Sequence, residues 1–236
     1  MSKPTGFLVR KASERGHANH GWLDTRHTFS FSDYHDPKWM QFSALRVINE
    51  DFIAPKRGFG SHPHRDMEIL TYVLQGSVEH QDSMGNAYQI PAPEFQLMSA
   101  GTGIVHSEKN PDPQVLHLYQ IWIRPERTGI TPRYEQRRFE SVPGKQLILS
   151  PDAAENSLKV YQDMRLYRWN LNAGSTERIE LKKNRWYWLQ IVKGRVTIDE
   201  TLKLETSDAV GMKEQDLINV SAEADTEILL FDLPPE

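Results

Sequence analysis

The chain contains no cysteine among its 236 residues. This absence excludes disulfide bonds, thiolate catalysis, and zinc or iron–sulfur sites with cysteine ligands. Long apolar runs are also missing, because stretches such as 228–231 are far too short to span a bilayer. Residues 1–16 show no apolar segment of a secretory signal. We therefore expect a cytoplasmic protein with no membrane partner.

A strong excess of positive charge is absent as well. The net charge is −4, with a sequence pI near 6.2. The one local cluster, Arg133, Arg137 and Arg138, is interrupted by Glu135 and Glu140. We interpret it as a solvated face with salt bridges, and we expect no nucleic-acid partner. A hydrophobic content of 38% with 10% aromatic residues indicates a folded globular chain.

Helical periodicity is scarce, and short runs rich in Val, Ile, Leu, Tyr and Trp take its place, separated by Gly, Pro, Asn and Asp. Many short strands at this spacing are typical of an all-β sandwich or barrel. The predicted strands are 42–48, 68–74, 78–81, 88–90, 95–99, 115–123, 147–149, 158–160, 166–169, 186–192, 195–198 and 227–231.

A weak internal repeat divides the chain. The segment 72–78 resembles 190–196: each has apolar residues, a polar residue, a glycine (Gly76 or Gly194), another polar residue and a valine. The repeat predicts two related β-domains with a boundary near residues 129–144. We place the N-terminal domain at 1–130 and the C-terminal domain at 131–236.

Two pairs of residues at i and i+2 carry the chemistry of the chain. They are His62-Pro63-His64 and His106-Ser107-Glu108. In an extended strand such residues point to one face, so each pair aims two donor atoms into one space. A lone His-x-His is more often two exposed loop histidines. The second pair, following a glycine-rich turn, favours a site in which three imidazoles and one carboxylate hold a divalent transition metal.

The second half of the chain lacks such ligands, since no histidine follows His117. His62 and His64 lie fourteen and twelve residues before Gly76, and the same offsets before Gly194 reach Glu180 and Lys182. A lysine repels a cation. The sequence therefore predicts a metal site in the N-terminal domain alone.

The motifs resemble those of the cupin superfamily. His62, His64, Glu68 and Gly76 follow its first motif, and Gly103, His106 and Asn110 follow its second. More narrowly, the chain resembles the pirin family of bicupins, and within it the bacterial members with quercetin 2,3-dioxygenase activity. The resemblance covers essentially the whole chain and rests on residues 15–22, 27–31, 62–76, 99–108 and 118–125.

The resemblance implies an all-β bicupin, with two face-to-face, jelly-roll-like cupin β-barrels and one metal in the N-terminal barrel only. The ligands it implies are His62, His64, His106 and Glu108. Glu68 is then left to orient an imidazole N–H. Iron is the metal that the family implies, although the donor set also accepts manganese, cobalt, nickel, copper or zinc.

Four protein ligands leave two positions on a six-coordinate metal, as substrate activation requires. The resemblance implies a dioxygenase that cleaves a flavonol such as quercetin, inserts both atoms of O2 and releases carbon monoxide. Glu108 is then both ligand and catalytic proton acceptor. The expected partners are a flavonoid or polyphenol and O2, and we expect a monomer.

Two other functions compete with this one. A non-enzymatic, metal-dependent regulator is permitted by the resemblance, because eukaryotic pirins are linked to transcriptional co-regulation. A sugar-phosphate isomerase or epimerase would need a basic phosphate clamp, for which Arg133–Arg138 is the candidate.

The remaining histidines have structural roles in this interpretation. We expect His117 to be packed or to support a ligand, His80 to be exposed on a hairpin, and His17, His20, His27 and His35 to lie at the surface or at a pocket mouth.

Overall fold

The computed structural model describes residues 6–235. Those residues form 22 β-strands and two short 3-10 turns, at Ala12–Glu14 and Ala154–Asn156. The all-β fold predicted from the sequence is confirmed. None of the described residues belongs to a helix with the length and apolar character needed to cross a membrane.

The described residues fall into two compact units. The first barrel comprises residues 16–139 and 160–162, and the second barrel comprises residues 6–15, 140–159 and 163–235. This division differs from the one we placed between residues 130 and 131. The first strand of the chain pairs within the second barrel, and residues 133–138 pair within the first.

The first barrel contains eleven strands in two antiparallel sheets. They are β2 (Gly16–Asn19), β3 (Leu23–His27), β4 (Leu45–Ile53), β5 (Gly58–His64), β6 (Glu68–Gln75), β7 (Ser77–Asp82), β8 (Ala87–Pro91), β9 (Glu94–Ser99), β10 (Ile104–Lys109), β11 (Leu116–Ile123) and β12 (Arg133–Arg138). The sheet orders are β12-β9-β6-β11-β4-β3-β2 and β5-β10-β7-β8.

The second barrel repeats this plan. Its strands are β1 (Phe7–Arg10), β13 (Gly144–Ser150), β14 (Leu158–Lys159), β15 (Arg165–Leu171), β16 (Thr176–Glu180), β17 (Trp186–Lys193), β18 (Arg195–Ile198), β19 (Leu202–Glu205), β20 (Ala209–Met212), β21 (Leu217–Ala222) and β22 (Thr226–Leu233). The sheet orders are β1-β20-β17-β22-β15-β13-β14 and β16-β21-β18-β19.

The two sets of sheet orders match position by position, so β6 corresponds to β17, β10 to β21 and β7 to β18. Gly76 and Gly194 stand between the corresponding strands with φ of 80° and 95°. Only glycine adopts this left-handed conformation without strain. The sequence repeat around these glycines therefore marks the same turn in both barrels.

The barrels differ in what fills them. The second barrel has one large apolar core cluster, drawn from strands β15–β18 and β20–β22 among others. The first barrel has smaller apolar clusters, and its buried residues include many polar side chains. That polar interior holds the residues singled out by the sequence.

Candidate metal centre

Strand β10 lies between β5 and β7 and brings the predicted ligands together. On one side His106 lies opposite His62, and Ile104 lies opposite His64. A bulge follows between His106 and Glu108 on the β5 side. On the other side, Glu108 lies opposite His80. Alternate residues of β10 are buried, so His106 and Glu108 share the inner face as the i, i+2 spacing predicts.

Three imidazoles form one cluster. The His62 and His106 rings are 4.4 Å apart between centroids, and His64 lies 4.8 Å from the first and 4.9 Å from the second. One ligand atom from each of the three lies within 4.8 Å of the others. His62 Nδ1 lies 2.8 Å from the Gly60 carbonyl oxygen, which accepts its hydrogen and leaves Nε2 for another partner.

His106 is the least satisfied side chain of the cluster. It is 2% exposed, and neither ring nitrogen has a hydrogen-bond partner among residues 6–235. Buried polar atoms without partners are costly, and each one needs a physical explanation. A metal ion bound among these rings would supply the missing partner.

Glu108 belongs to a second cluster that shares His106. Ligand atoms of His80, His106 and Glu108 also lie within 4.8 Å of one another. The four predicted ligands are thus brought together as two overlapping clusters. Glu108 is 2% exposed, and its Oε2 accepts a hydrogen bond from Gln120 Nε2 at 2.8 Å. Its Oε1 accepts a longer one, 3.4 Å, from Thr71.

Two of these imidazoles, His64 and His106, are held neutral. Burial, with the neighbouring His62, lowers the pKa of His64 to about 4. Burial and the surrounding histidines lower the pKa of His106 to about 3. A neutral imidazole is the form that binds a metal.

Burial also raises the pKa of Glu108 to about 7, with a further rise from the Asp51 carboxylate. The hydrogen bonds from Gln120 and Thr71 oppose this rise. A cation beside Glu108 would favour its charged form.

His80 departs from its expected place. We expected an exposed hairpin histidine, but its side chain is fully buried. Its Nε2 lies 3.1 Å from Asp82 Oδ2, and its Nδ1 has no partner among the described residues. The signal that would have found it is a third i, i+2 pair, His80-Gln81-Asp82.

Glu68 is fully buried, and its Oε2 accepts from Ser99 Oγ at 2.9 Å and from the Tyr161 backbone N–H at 3.3 Å. Its Oε1 has no hydrogen-bond partner among the described residues, and its role in orienting a ligand histidine stays a prediction. His117 is packed as expected: its ring stacks on Phe52, and its Nε2 lies 3.0 Å from Glu50.

A cavity of about 550 Å³ adjoins the centre within the first barrel. Gln120, which donates to Glu108, lines it, and so does Phe59, whose ring lies 6.4 Å from that of His62. Its remaining lining is part aromatic and part polar: His17, Ala18, His20, Trp22, Leu23, Thr25, His27, Phe31, Ser32, Asp33, Tyr34, Asn49 and Asp51. His27 is buried with Nδ1 2.9 Å from Asn49 Oδ1, so it is part of the cavity wall and not of the outer surface.

In the second barrel, apolar residues stand at the positions that correspond to these side chains. His62 pairs with His106, and the corresponding pair is Ile179 and Ile218. His80 pairs with Glu108, and the corresponding pair is Ile198 and Val220.

The residues we aligned with His62 and His64, Glu180 and Lys182, are exposed. Three residues, 65–67, separate His64 from β6, whereas four, 182–185, separate Leu181 from β17. The assigned counterparts are therefore wrong by one residue, which moves them to the other face of the strand. Ile179 and Leu181 are the buried residues at these positions.

Comparisons with known proteins agree with these observations. The family model "Pirin" matches residues 8–123, and that of the "Quercetinase C-terminal cupin domain" matches residues 147–233. A quercetin 2,3-dioxygenase of Escherichia coli K12 is 63% identical over 230 residues, which cover 97% of this chain and 99% of that protein.

A pirin-like protein of Caulobacter vibrioides is 39% identical over 231 residues, covering 96% of this chain and 99% of that protein. The crystal structure of the bacterial pirin YhhW from Escherichia coli in complex with nickel(II) superposes with a TM-score of 0.95 at 61% identity, covering 98% of this chain and all of that one. The chain therefore belongs to the pirin family, and its fold is that of a bicupin.

Proposed function

We propose that the protein is a metal-dependent dioxygenase that cleaves a flavonol such as quercetin with O2. One observation carries the proposal. The His106 imidazole is buried without a hydrogen-bond partner among the described residues, and it belongs to both clusters of donor atoms. The 63% identical relative named as a quercetin 2,3-dioxygenase supports the reaction class.

The residues present fit a divalent transition metal. The imidazole nitrogens of His62, His64 and His106 and the Glu108 carboxylate form a donor set that suits a transition metal better than calcium or magnesium. The nickel(II) complex of YhhW supports this choice of class. Within it we propose iron as the working metal.

When bound, such a metal acidifies a coordinated hydroxyl group and provides the site at which O2 and an electron-rich substrate meet. The chain's own residues bind and orient that substrate. Pockets of roughly 300–1,000 Å³ are usual for small ligands, and the cavity of about 550 Å³ is in this range. Its aromatic residues Trp22, Phe31 and Phe59 can contact flat rings, and Thr25, Asn49 and Asp51 offer polar contacts to hydroxyl groups.

Glu108 is the residue that we propose holds the substrate proton. Burial raises its pKa to about 7 in the metal-free site, and a bound cation would favour the carboxylate, which is the form that takes a proton. The hydrogen bond from Gln120 fixes the position of Oε2 beside the cavity wall.

One experiment tests the proposal. Bound metal is measured in the purified protein, and the loss of flavonol absorbance is followed with and without O2. We expect O2-dependent loss that disappears, together with the bound metal, in His62→Ala and His106→Ala. Full metal occupancy with no turnover across several flavonols would instead favour the non-enzymatic regulator.

The role of Glu108 has a separate test. Glu108→Gln keeps the shape of the side chain and one acceptor oxygen but cannot take the proton. We expect this variant to keep part of its metal and to lose turnover at all pH values. Full turnover in both Glu108→Gln and Glu108→Ala would exclude the role.

A further inference from the structure

The buried pair formed by His80 and Asp82 has no part in the function proposed so far. Its His80 Nε2 to Asp82 Oδ2 distance is 3.1 Å, and both side chains are fully buried. His80 Nδ1 is left without a partner among residues 6–235. A histidine buried to this extent with one free nitrogen, next to two proposed metal ligands, calls for a role at the centre.

Asp82 is locked as a hydrogen-bond acceptor by the turn that follows it. Its Oδ1 accepts from the backbone N–H groups of Met84, at 2.9 Å, and Asn86, at 3.1 Å. Its Oδ2 accepts from Asn86 Nδ2 at 2.8 Å. A carboxyl group that accepts three hydrogen bonds from N–H donors is held as a carboxylate. An ionised carboxylate has no hydrogen to donate, so the hydrogen in the pair belongs to His80 Nε2.

The tautomer of His80 follows from this pairing. A second hydrogen on Nδ1 would find no acceptor among the described residues, so the ring is neutral. A neutral ring with its hydrogen on Nε2 has a lone pair on Nδ1. His80 Nδ1 is therefore a hydrogen-bond acceptor waiting for a donor.

His106 needs the kind of acceptor that His80 Nδ1 offers. A histidine that binds a metal through one nitrogen carries its hydrogen on the other, and that N–H almost always donates to a nearby acceptor. The structure gives His106 no such acceptor through a hydrogen bond. Glu108, the other member of the cluster, already accepts from Gln120 and Thr71 and is itself a proposed ligand.

We propose that His80 is a positioning residue for the metal ligand His106: on metal binding, His106 donates its free N–H to His80 Nδ1, and His80 donates Nε2–H to Asp82. The turn at residues 82–86 then fixes the orientation and tautomer of the ligand through two side chains. This inference rests on the proposed metal site. It adds a carboxylate–histidine–histidine chain to that site.

The first test measures nickel(II) affinity by competition with a chelator in the full chain. Asp82→Asn keeps the size of the side chain and an acceptor for Met84 and Asn86, but it presents an N–H to His80. His80 must then accept at Nε2 and carry its hydrogen on Nδ1, facing the His106 N–H. We expect affinity to fall by about 10- to 100-fold, the usual effect of losing a partner of a ligand.

Two variants of His80 separate hydrogen bonding from packing. His80→Ile places the second barrel's Ile198 at this position and should lower affinity to the same extent as Asp82→Asn. His80→Gln can accept from His106 and donate to Asp82, so it should restore most of the affinity. The matched control is Asp24→Asn, which makes the same change in the exposed pair of His17 and Asp24, 3.0 Å apart, and should leave nickel(II) affinity unchanged.

The second test reads the tautomers directly. Ring nitrogen signals of ¹⁵N-labelled histidines in the zinc-loaded protein should show His80 with its hydrogen on Nε2, and Asp82→Asn should move it to Nδ1. In His80→Ile the signal of the His106 N–H should shift and exchange faster with water, because this group loses its acceptor.

The outcomes are distinguishable. Unchanged affinity in both Asp82→Asn and His80→Ile overturns the positioning role, and so does an affinity loss with an unchanged His106 N–H signal. A metal-induced shift of a His80 nitrogen as large as those of His62 and His64 would make His80 a ligand and also overturn it. If His62→Ala and His106→Ala bind nickel(II) normally, the proposed metal site itself fails.

Discussion

Where the first barrel has His62 opposite His106, the second barrel has Ile179 opposite Ile218. Where the first has His80 opposite Glu108, the second has Ile198 opposite Val220. The strand orders of the two barrels correspond throughout. The same backbone thus accommodates a polar centre or an apolar core, and the residues at these few inward positions decide which one forms.

The two interiors also differ in what they contribute to the stability of the fold. The second barrel gains stability from contiguous apolar burial. The first barrel buries imidazoles and carboxyl groups whose partners among the described residues are incomplete. Such atoms lower stability until a ligand satisfies them. The metal centre is therefore a locally destabilised part of a stable fold.

The strongest test exchanges the central ligand for its counterpart. His106→Ile should abolish metal binding, with a loss of nickel(II) affinity above about 100-fold, because a ligand and not only its partner is removed. The metal-free variant should unfold at an equal or higher temperature, since a buried imidazole without partners costs about 1–3 kcal/mol. Metal analysis and calorimetry check both. Normal metal content, or a variant that fails to fold, would contradict the comparison.

The reverse exchange probes the second barrel. Ile179→His puts an imidazole without partners into the apolar core and should lower the free energy of unfolding by about 2–4 kcal/mol. Glu180→His, one residue away on the exposed face, should change it by less than about 0.5 kcal/mol. Denaturant titration of the pair measures the difference. Equal effects would mean that the one-residue correction of the alignment is wrong.

The next prediction concerns how the free energy of unfolding depends on pH, which should differ between the two barrels. Burial raises the pKa of Asp51 to about 7, and the pKa values of Glu68 and Glu108 rise to about 7 as well, all three in the first barrel. An unfolded carboxyl group titrates near 4. Between these values the folded state holds more protons than the unfolded state, so the free energy of unfolding falls as pH rises.

Asp51→Asn should therefore reduce this slope in the metal-free protein by about 1 kcal/mol per pH unit between pH 5 and 6.5. Asp51 is 2% exposed, so solvent screens this effect little. Denaturant titrations at several pH values measure the slope. A slope that Asp51→Asn leaves unchanged would show that this carboxyl group ionises normally.

The smallest expected effect concerns Gln120, whose counterpart by pairing is Leu230. Gln120 donates to Glu108 at 2.8 Å and accepts from Trp122 Nε1 at 3.3 Å. Gln120→Leu should reduce nickel(II) affinity or kcat by about 2- to 10-fold, as the loss of one hydrogen bond predicts. Trp122→Phe should give a smaller loss of the same kind. A larger change in KM alone would place Gln120 in substrate binding instead.

Two features of this comparison could be predicted from the sequence. The i, i+2 spacing predicted that His62, His64, His106 and Glu108 would meet, because it depends only on the alternation of a strand. The repeat around Gly76 and Gly194 predicted the two barrels, because a positive φ at a tight turn restricts the residue type.

The parts that failed depend on information that is not local. Ile179 and Leu181 were missed because the loop before β17 is one residue longer than the loop before β6. Counting a fixed number of residues back from the glycine does not allow for such an insertion. His80 was predicted to be exposed because it lies on a hairpin. It is buried because β10 pairs with its strand, and this pairing cannot be read from the local sequence. Strands β16, β20 and β21 were missed because short strands such as β20 are held by their neighbours more than by their own residues.

Strand β1 gives the second barrel an unusual order of assembly. Its residues pair with β20, and Lys11 Nζ reaches Asp208 at 2.6 Å, so partners in one sheet are about 200 residues apart along the chain. At roughly 5–20 residues per second, synthesis would leave β1 without its partner for about 10–40 s. Throughout that interval β1 is an unpaired strand. Chaperones, or β20 of another copy of the chain, can bind it before the β20 of the same chain has been made.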